Sequence, residues 1–224
     1  MTTPLPKGKL YEGLEKLIND AEDREEECRE YLQHVARFLF NERKVVTIRH
    51  FDKEIRLMTG DMDFAVSGEV SEGGVDCMRA YLWELKAPQC AVFTRETDGR
   101  LTPTKALFEA ENQLLHYFFE AQGNDDFRED FGGVAPDNVR VGGIIISCEK
   151  RKVAPNVKQG KKRELYAKAY RTREKLYLGS KMRLVLWDEV LDQLREPLIG
   201  KDAQNPNPII LEAPPIPPGT FSTF

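Results

Sequence analysis

The sequence has 224 residues, of which 41% are hydrophobic, and its formal net charge is −4. This length suits one large domain or one domain with appendages, and the apolar content can form a sizeable core. No run approaches the roughly eighteen apolar residues of a membrane span, and the four cysteines form no CxxC pair, which argues against a zinc site. We therefore expect a soluble, cytoplasmic protein. The net charge argues against indiscriminate coating of nucleic acid, but it does not exclude a nuclease.

The first 40 residues are predicted to be helical. Apolar residues between Leu10 and Phe40 follow helical spacing on either side of the acidic stretch from Glu22 to Glu27. This pattern predicts one broken helix or two, packed as an N-terminal segment (residues 1–40) on a core formed by residues 41–197.

Three strands are predicted next. Val45–Arg49 is a short strand, which residues 51–55 turn back on itself. The stretches Gly60–Val66 and Arg79–Lys86 are rich in β-branched and aromatic residues, and the glycine-containing segment Ser71–Gly74 between them is typical of a hairpin turn.

Acidic side chains on these two hairpin strands indicate a cation site. Side chains alternate along a strand, so Asp61 and Asp63 share one face, as do Glu84 and Lys86. Carboxylates that converge in an apolar sheet are costly unless a cation joins them. Asp63 and Glu84, with the backbone carbonyl of Leu85, are oxygen ligands of the kind that magnesium or manganese accepts, and Asp61 is the alternative ligand.

The position of Lys86 favours phosphodiester hydrolysis. Lys86 lies two residues beyond Glu84, about 7 Å along the same edge by the strand rise, within reach of a water or a phosphate at the cation. A divalent cation in such a site activates the water, shields the phosphate charge and stabilises the departing oxygen.

A helix from Thr102 to about Gln122 is predicted after a polar loop at residues 94–100, with Pro103 suited to its first turn. Gln113 and Tyr117 share one face of this helix. A glutamine in an apolar stripe needs a hydrogen-bond partner, such as Lys86 or a carboxylate, if it is buried. The alternative is that Gln113 lies at the helix margin and contacts solvent.

The C-terminal half adds a buried strand, a basic segment and a proline-rich tail. Val139–Ser147 is predicted to be a strand inside a mixed or parallel sheet. The basic segment that follows is a candidate nucleic-acid site, although charged helix faces are usually solvated surface; its named candidates are Lys158, Lys161, Lys162 and Arg163. Residues 182–187 and 188–196 are predicted as a strand and a short helix. Residues 198–224 are predicted to be an extended, polyproline-like arm.

The ordered motifs resemble the PD-(D/E)XK nuclease superfamily. They are Asp63, the Glu84-x-Lys86 pair about twenty positions later, and a helix with Gln113 and Tyr117. Gly60-x-x-Asp63 and Gln113-x-x-x-Tyr117 are similar to variants of the RecB-like branch. The Asp63-Phe64 pair, the Glu-Leu-Lys-x-Pro strand and the late strand-to-helix passage at residues 186–191 are most similar to the nuclease domain of Shedu-type bacterial anti-phage proteins. Met62 stands where the superfamily name has proline.

The resemblance implies a restriction-endonuclease-like α/β core, a central mixed sheet flanked by helices in the order αβββαβ. It implies that Asp63 and Glu84 hold magnesium or manganese, that Lys86 activates the water, and that Gln113 orients the lysine or a phosphate. Glu27 or Glu30 on the first helical segment would assist the metal. The expected products are a 5′-phosphate and a 3′-hydroxyl.

The resulting hypothesis is a metal-dependent DNA endonuclease in anti-phage defence. Because Shedu-type proteins usually carry a large region ahead of the nuclease domain, we expect a homo-oligomer or a complex with a separate regulatory protein. A catalytically silent module that binds nucleic acid or a partner, and a ribonuclease, are the alternatives.

Overall fold

The structure is a computed structural model, and it describes residues 7–40, 44–58, 60–95, 100–155, 162–177, 179 and 181–195. Its architecture is α/β, with a five-stranded mixed sheet flanked by helices on both faces. The order of the strands in the sheet is β1 (Val45–Leu57), β2 (Gly60–Glu72), β3 (Val75–Leu85), β6 (Val139–Ile145) and β7 (Arg183–Val185). The predicted proline-rich arm at residues 198–224 lies outside the described part of the chain.

The N-terminal segment is helical but broken. Helix α1 spans Lys7–Asn19, a short helix α2 spans Glu25–Arg29, and a 3-10 helix spans Leu32–Leu39. Leu14, Cys28 and Leu32 from these three elements are buried in one apolar layer with Phe64 and Trp83 of the sheet. The segment therefore packs on one face of the sheet, as expected.

Three long strands form the antiparallel half of the sheet. They are β1 (Val45–Leu57), β2 (Gly60–Glu72) and β3 (Val75–Leu85). The prediction of a short strand turned back at residues 51–55 is wrong, because β1 continues through those residues and pairs with β2 as far as Leu57 opposite Gly60. The turn between β2 and β3 is at Gly73 and Gly74, whose positive φ angles of 60° and 85° suit glycine.

The second half of the sheet is parallel. Strand β6 (Val139–Ile145) lies between β3 and β7 (Arg183–Val185) and is parallel to both, which confirms the prediction for this stretch. The small hairpin β4 (Phe93–Arg95) and β5 (Leu101–Pro103) lies outside this sheet.

The second face of the sheet is covered mainly by helix α3 (Lys105–Gly123). Thr104 caps its N-terminus by accepting a hydrogen bond from the Leu107 N–H at 3.3 Å. The remaining helices are α4 (Asp125–Asp130), a 3-10 turn at Pro136–Asn138, α5 (Lys162–Tyr177) and α6 (Trp187–Gln193). No helix among the described residues is long and apolar enough to cross a membrane.

Candidate active site

The β2 and β3 strands separate at one end, and the predicted site residues lie where they separate. Their paired register begins at Phe64 opposite Trp83, so Asp63 and Glu84 are the first residues beyond it. Beyond this point a side chain of β2, instead of its backbone, forms the hydrogen bond to β3. Asp63 Oδ2 accepts it from the Leu85 N–H at 2.6 Å. The carboxylate of Asp63 is thereby fixed beside β3.

An irregularity in the neighbouring strand pair lies immediately before Glu84. The register of β3 with β6 shifts between Leu82 and Trp83, because Leu82 is opposite Val141 whereas Trp83 is opposite Gly143. A Cβ atom on Gly142 would lie 2.3 Å from Trp83 Nε1, so only glycine leaves room for this indole. Trp83 also donates to the Leu39 carbonyl at 3.2 Å, which ties the strand to the N-terminal segment.

Glu84 and Lys86 form a pair at the end of β3. Lys86 Nζ donates to Glu84 Oε1 at 2.8 Å, as expected for residues two apart on one strand face. Glu84 is only 2% exposed, and its second oxygen, Oε2, is buried without a hydrogen-bond partner. Buried polar atoms are usually satisfied, so this oxygen is available to a donor or a cation.

The pKa values of the residues in the cluster reflect this shortage of hydrogen-bond donors. Burial, followed by the nearby charge of Asp63, raises the pKa of Glu84 to about 8. Burial also raises the pKa of Asp63, against the hydrogen bond from Leu85. Burial opposes the charge of Lys86, but the carboxylates around it, above all Glu84, outweigh burial and raise its pKa. Two acidic groups thus compete for too few cations.

The backbone at Lys86 is held from two sides. Its N–H donates to the Ile145 carbonyl at 2.9 Å, and its carbonyl accepts from Trp187 Nε1 at 2.9 Å. The next residue, Ala87, accepts from the Ser147 N–H at 3.2 Å. Strand β6 and helix α6 therefore fix the direction in which the Lys86 side chain leaves the sheet.

A third carboxylate, Glu25, approaches the cluster from α2. Burial raises its pKa, whereas the charge of Lys86 and the backbone of Ala87 lower it, and the charge of Asp63 adds to the increase. The expectation that Glu27 or Glu30 would face the site is wrong. Glu27 pairs with Arg24 at 3.0 Å, and Glu30 pairs with Lys53 on β1. The chain breaks at residues 20–24, so a different face of α2 points to the sheet than a continuous helix would present.

The turn that precedes Glu25 is clamped by side chains from elsewhere. Arg151 donates to the carbonyls of Ile18 and Asp20, each at 2.6 Å, at the end of α1. Gln89 donates to the carbonyls of Leu17 and Asp20 at 3.0 and 3.2 Å. The end of α1 is thus tied to the loops that follow β3 and β6.

Helix α3 brings Tyr117 to the site, while Gln113 stays at the surface. Burial raises the pKa of Tyr117, and the charges of Glu84, Asp63 and Asp61 contribute. A Cβ atom on Gly60 would lie 2.8 Å from the Tyr117 hydroxyl, so glycine allows this close approach. Gln113 is exposed one turn earlier, and no hydrogen bond joins it to Lys86 or the carboxylates in the described part of the chain. Asp61 is exposed at the rim.

The basic segment is divided between structural and exposed roles. Lys158 and Lys161 lie outside the described residues, as does the side chain of Lys162 at the start of α5, whereas Arg163 is exposed on its first turn. Arg151 clamps α1, and Lys152 stands 4.2 Å from the Tyr166 ring centroid. The α5 tyrosines pack, with Tyr166 and Tyr170 stacked at 5.7 Å. The other exposed cations of α5 are Lys168, Arg171 and Lys175.

Within the described ranges, no group of three or more His, Cys, Asp or Glu side chains is arranged to hold a metal ion. The two carboxylates of Asp63 and Glu84 nevertheless fit magnesium, which is commonly bound through one or two carboxylates together with waters and substrate phosphates. The unpartnered Oε2 of Glu84 is an oxygen of the type that such a cation requires. The two carboxylates therefore suit a hard divalent cation.

No protein-family model matches the sequence. No curated protein matches it significantly.

Proposed function

We propose that this protein is a divalent-cation-dependent nuclease with a restriction-endonuclease-like core, which hydrolyses phosphodiester bonds in DNA and serves in bacterial anti-phage defence. One observation carries the proposal, the convergence of Asp63, Glu84 and Lys86 where β2 and β3 separate, with one buried oxygen of Glu84 left without a partner.

Asp63 and Glu84 would hold magnesium or manganese, with the Leu85 carbonyl as a further ligand. The bound cation would activate water, neutralise charge on the phosphate and stabilise the leaving oxygen. A cation also removes the cost of keeping Glu84 buried beside Asp63, because it supplies the positive charge that the single ammonium of Lys86 does not fully provide.

Lys86 would donate a hydrogen bond to the attacking water or to a phosphate oxygen. Its carboxylate neighbours keep its ammonium group charged, so the donor is present at neutral pH. Glu25 would assist the metal, which is the role that the resemblance gave to Glu27 or Glu30. Tyr117 would fix the edge of the site next to Gly60.

The exposed cations of α5 would contact the phosphate backbone. Arg163, Lys168, Arg171 and Lys175 share this helix and are exposed, whereas Arg173 is committed to Glu111. Because Gln113 is exposed, its proposed role is a contact with a substrate phosphate, rather than with Lys86. Binding through such contacts should weaken steeply with salt.

The test is incubation of the purified chain with supercoiled plasmid and magnesium. We expect nicking or linearisation by the wild type, and a loss of at least about a hundredfold in Asp63→Asn, Glu84→Gln and Lys86→Ala. Lys16→Ala, an exposed lysine on α1, is the matched control and should cleave normally. Undiminished cleavage by Lys86→Ala would remove the assigned mechanism.

The same assay separates the alternatives. Cleavage of labelled RNA but not plasmid would identify a ribonuclease, and binding without cleavage of either would identify a silent module. Phage plating on cells that express wild type or Lys86→Ala tests the defence role, because protection should depend on the lysine.

A further inference from the structure

A second cation, Arg29, approaches the candidate active site from helix α2. Arg29 and Glu25 are four positions apart, so they lie on the same side of this helix. The charge of Arg29 acts on Asp63, because burial raises the pKa of Asp63 and this guanidinium is among the groups that lower it. The side of α2 that faces the sheet therefore presents both a carboxylate and a guanidinium to the site.

Arg29 is anchored on strand β1 by Glu54. Its Nη2 donates to Glu54 Oε1 at 2.5 Å. The residues on either side of Glu54 pair with those on either side of Asp63, so the two acids lie at the same level of neighbouring strands. The φ angle of Glu54 is 55°, which is uncommon for a residue other than glycine. The guanidinium is thereby held on β1, beside the strand that carries Asp63.

Most of the donors of this guanidinium remain available. The Arg29 side chain is only 12% exposed, and its Nε is buried without a hydrogen-bond partner. Within the described part of the chain, Glu54 accepts the one hydrogen bond that this side chain donates, out of five N–H donors. Arg173, by contrast, uses both Nε and Nη2 on Glu111. Arg29 can therefore bind a further acceptor, and phosphate oxygens match the geometry of a guanidinium well.

We propose that Arg29 is a further catalytic residue, which donates to a non-bridging oxygen of the phosphate at the cation site. This inference rests on the proposed function. Strand β2 lies between β1 and β3, so Asp63 lies between the guanidinium anchored on β1 and the ammonium of Lys86, which follows β3. A phosphate beside Asp63 would have a positive group on each side. Fixed cationic donors stabilise the charge that develops on phosphate oxygens in the transition state.

The alternative is that Arg29 only fastens α2 to β1. Lys53 on β1 and Glu30 on α2 form a second ion pair between the same two elements. This second pair provides a matched control, because Lys53→Met removes a cation that joins α2 to β1 but keeps the one beside Asp63. Glu54→Gln separates the two roles, since it weakens the anchor and leaves the guanidinium in the chain.

The first experiment is calorimetric titration of thymidine 5′-monophosphate into the full chain with Mg²⁺. We expect Arg29→Met to weaken nucleotide binding at least about tenfold, because it removes a charged hydrogen bond to the phosphate. Lys53→Met should bind within about twofold of the wild type, and Glu54→Gln within about threefold. Arg29→Lys should recover part of the lost affinity, since it restores a positive charge. Equal losses in Arg29→Met and Glu54→Gln, or a wild type that does not bind the nucleotide, would overturn the proposal.

Mn²⁺ affinity without nucleotide should change in the opposite direction. A guanidinium beside Asp63 repels a bare cation, so Arg29→Met should bind Mn²⁺ about two- to fivefold more tightly than the wild type. If Arg29 only fastened α2, its loss would move Glu25 away from the site and weaken Mn²⁺ binding. Weaker Mn²⁺ binding by Arg29→Met would therefore overturn the proposal.

Plasmid cleavage distinguishes this inference from the proposed function. Arg29→Met should lower kcat/KM at least about a hundredfold, mainly through kcat, because the contact strengthens in the transition state. Normal cleavage by Arg29→Met would overturn this inference and leave the nuclease intact. A wild type that cleaves no DNA, with nucleotide binding still dependent on Arg29, would overturn the nuclease and support the phosphate contact.

Discussion

Two buried carboxylates, Glu111 and Glu84, differ in how they are satisfied. Glu111 on α3 receives the guanidinium of Arg173 on both oxygens, and the Tyr177 hydroxyl in addition. Glu84 on β3 receives one ammonium, from Lys86, and keeps a second oxygen with no partner.

The difference separates structural from functional burial of charge. Breaking a buried pair is costly, so a carboxylate that is saturated with donors, such as Glu111, fastens α5 to α3. A carboxylate that lacks donors and faces another carboxylate costs stability, as the elevated pKa of Glu84 expresses. We infer that the Glu84 cluster is kept for binding and the Glu111 cluster for the fold.

The largest expected effect is on catalysis. Only a change of Lys86, the cation of the Glu84 cluster, should cause it. Lys86→Ala is expected to lower plasmid cleavage by about 10² to 10⁴, the range for a positioned proton-transfer or donor group. Arg173→Lys, which alters the cation of the other cluster, should cleave within about threefold of the wild type per folded molecule. Equal losses of initial cleavage rate in Lys86→Ala and Arg173→Lys would contradict the assignment of different roles to the two clusters.

The second-largest expected effect is on stability, and a change in the Glu111 cluster should cause it. Glu111→Ala is expected to reduce the free energy of unfolding by about 3–5 kcal/mol, because Arg173 and Tyr177 lose their buried partner. Glu109→Ala, exposed on the same helix, should change it by less than about 0.5 kcal/mol. Urea denaturation measures both, and a loss below about 1 kcal/mol in Glu111→Ala would show that the cluster is not structural.

The third change should increase the free energy of unfolding, whereas Glu111→Ala should reduce it. Without metal, Glu84→Gln should raise the free energy of unfolding at pH 8 by roughly 1–3 kcal/mol, because a neutral amide replaces a carboxyl group that is buried with one oxygen unsatisfied.

The pH dependence follows from the same group. Folding raises the pKa of Glu84 from 4.5 to about 8, so between these values the folded chain holds a proton that the unfolded chain releases. Wild-type stability from this group therefore falls as pH rises from about 4.5 to 8, and Glu84→Gln lacks that fall. Thermal melts at pH 5 and pH 8 measure the difference, and a destabilised variant at pH 8 would contradict it.

The smallest effect concerns the clamp on Glu25. Arg151→Met removes hydrogen bonds to the end of α1 and should weaken Mn²⁺ binding by about five- to tenfold. A charged hydrogen bond contributes roughly 1.5–3 kcal/mol, and we expect only part of this free energy to affect the cation site through Glu25. Lys16→Met on the same helix is the control.

A double-mutant cycle measures the coupling. In a Glu25→Gln background, Arg151→Met should have almost no further effect on Mn²⁺ affinity. Additive losses would mean that the clamp does not act through Glu25.

The placement of Asp63, Glu84 and Lys86 could be predicted from sequence, because strand alternation is local and one hairpin joins the two strands. Glu25 could not. The break at residues 20–24 changes the face that α2 presents, and the clamp that sets it comes from Arg151, more than a hundred positions away. The acidic run from Glu22 to Glu27 was the available signal, but it did not indicate which glutamate turns inward.

Tertiary contacts also decided the roles of the basic segment and of β1. Arg151 and Lys152 belong to the basic segment, yet Arg151 binds a carbonyl of α1 and Lys152 packs on the ring of Tyr166. Residues 51–55, with the charged run Asp52–Glu54 at their centre, suggested a turn, but β1 is the outermost strand in the sheet order and tolerates these charged residues there.

The most direct test of the account is calorimetric titration of Mn²⁺ into the wild-type chain and into Glu84→Gln, without nucleic acid. We predict that the wild type binds one ion per chain, that binding releases protons at pH 7 because Glu84 must ionise, and that the variant binds at least about tenfold more weakly. Equal affinity in the two proteins, or no binding by the wild type, would contradict the claim that Glu84 on β3 is kept to hold a cation.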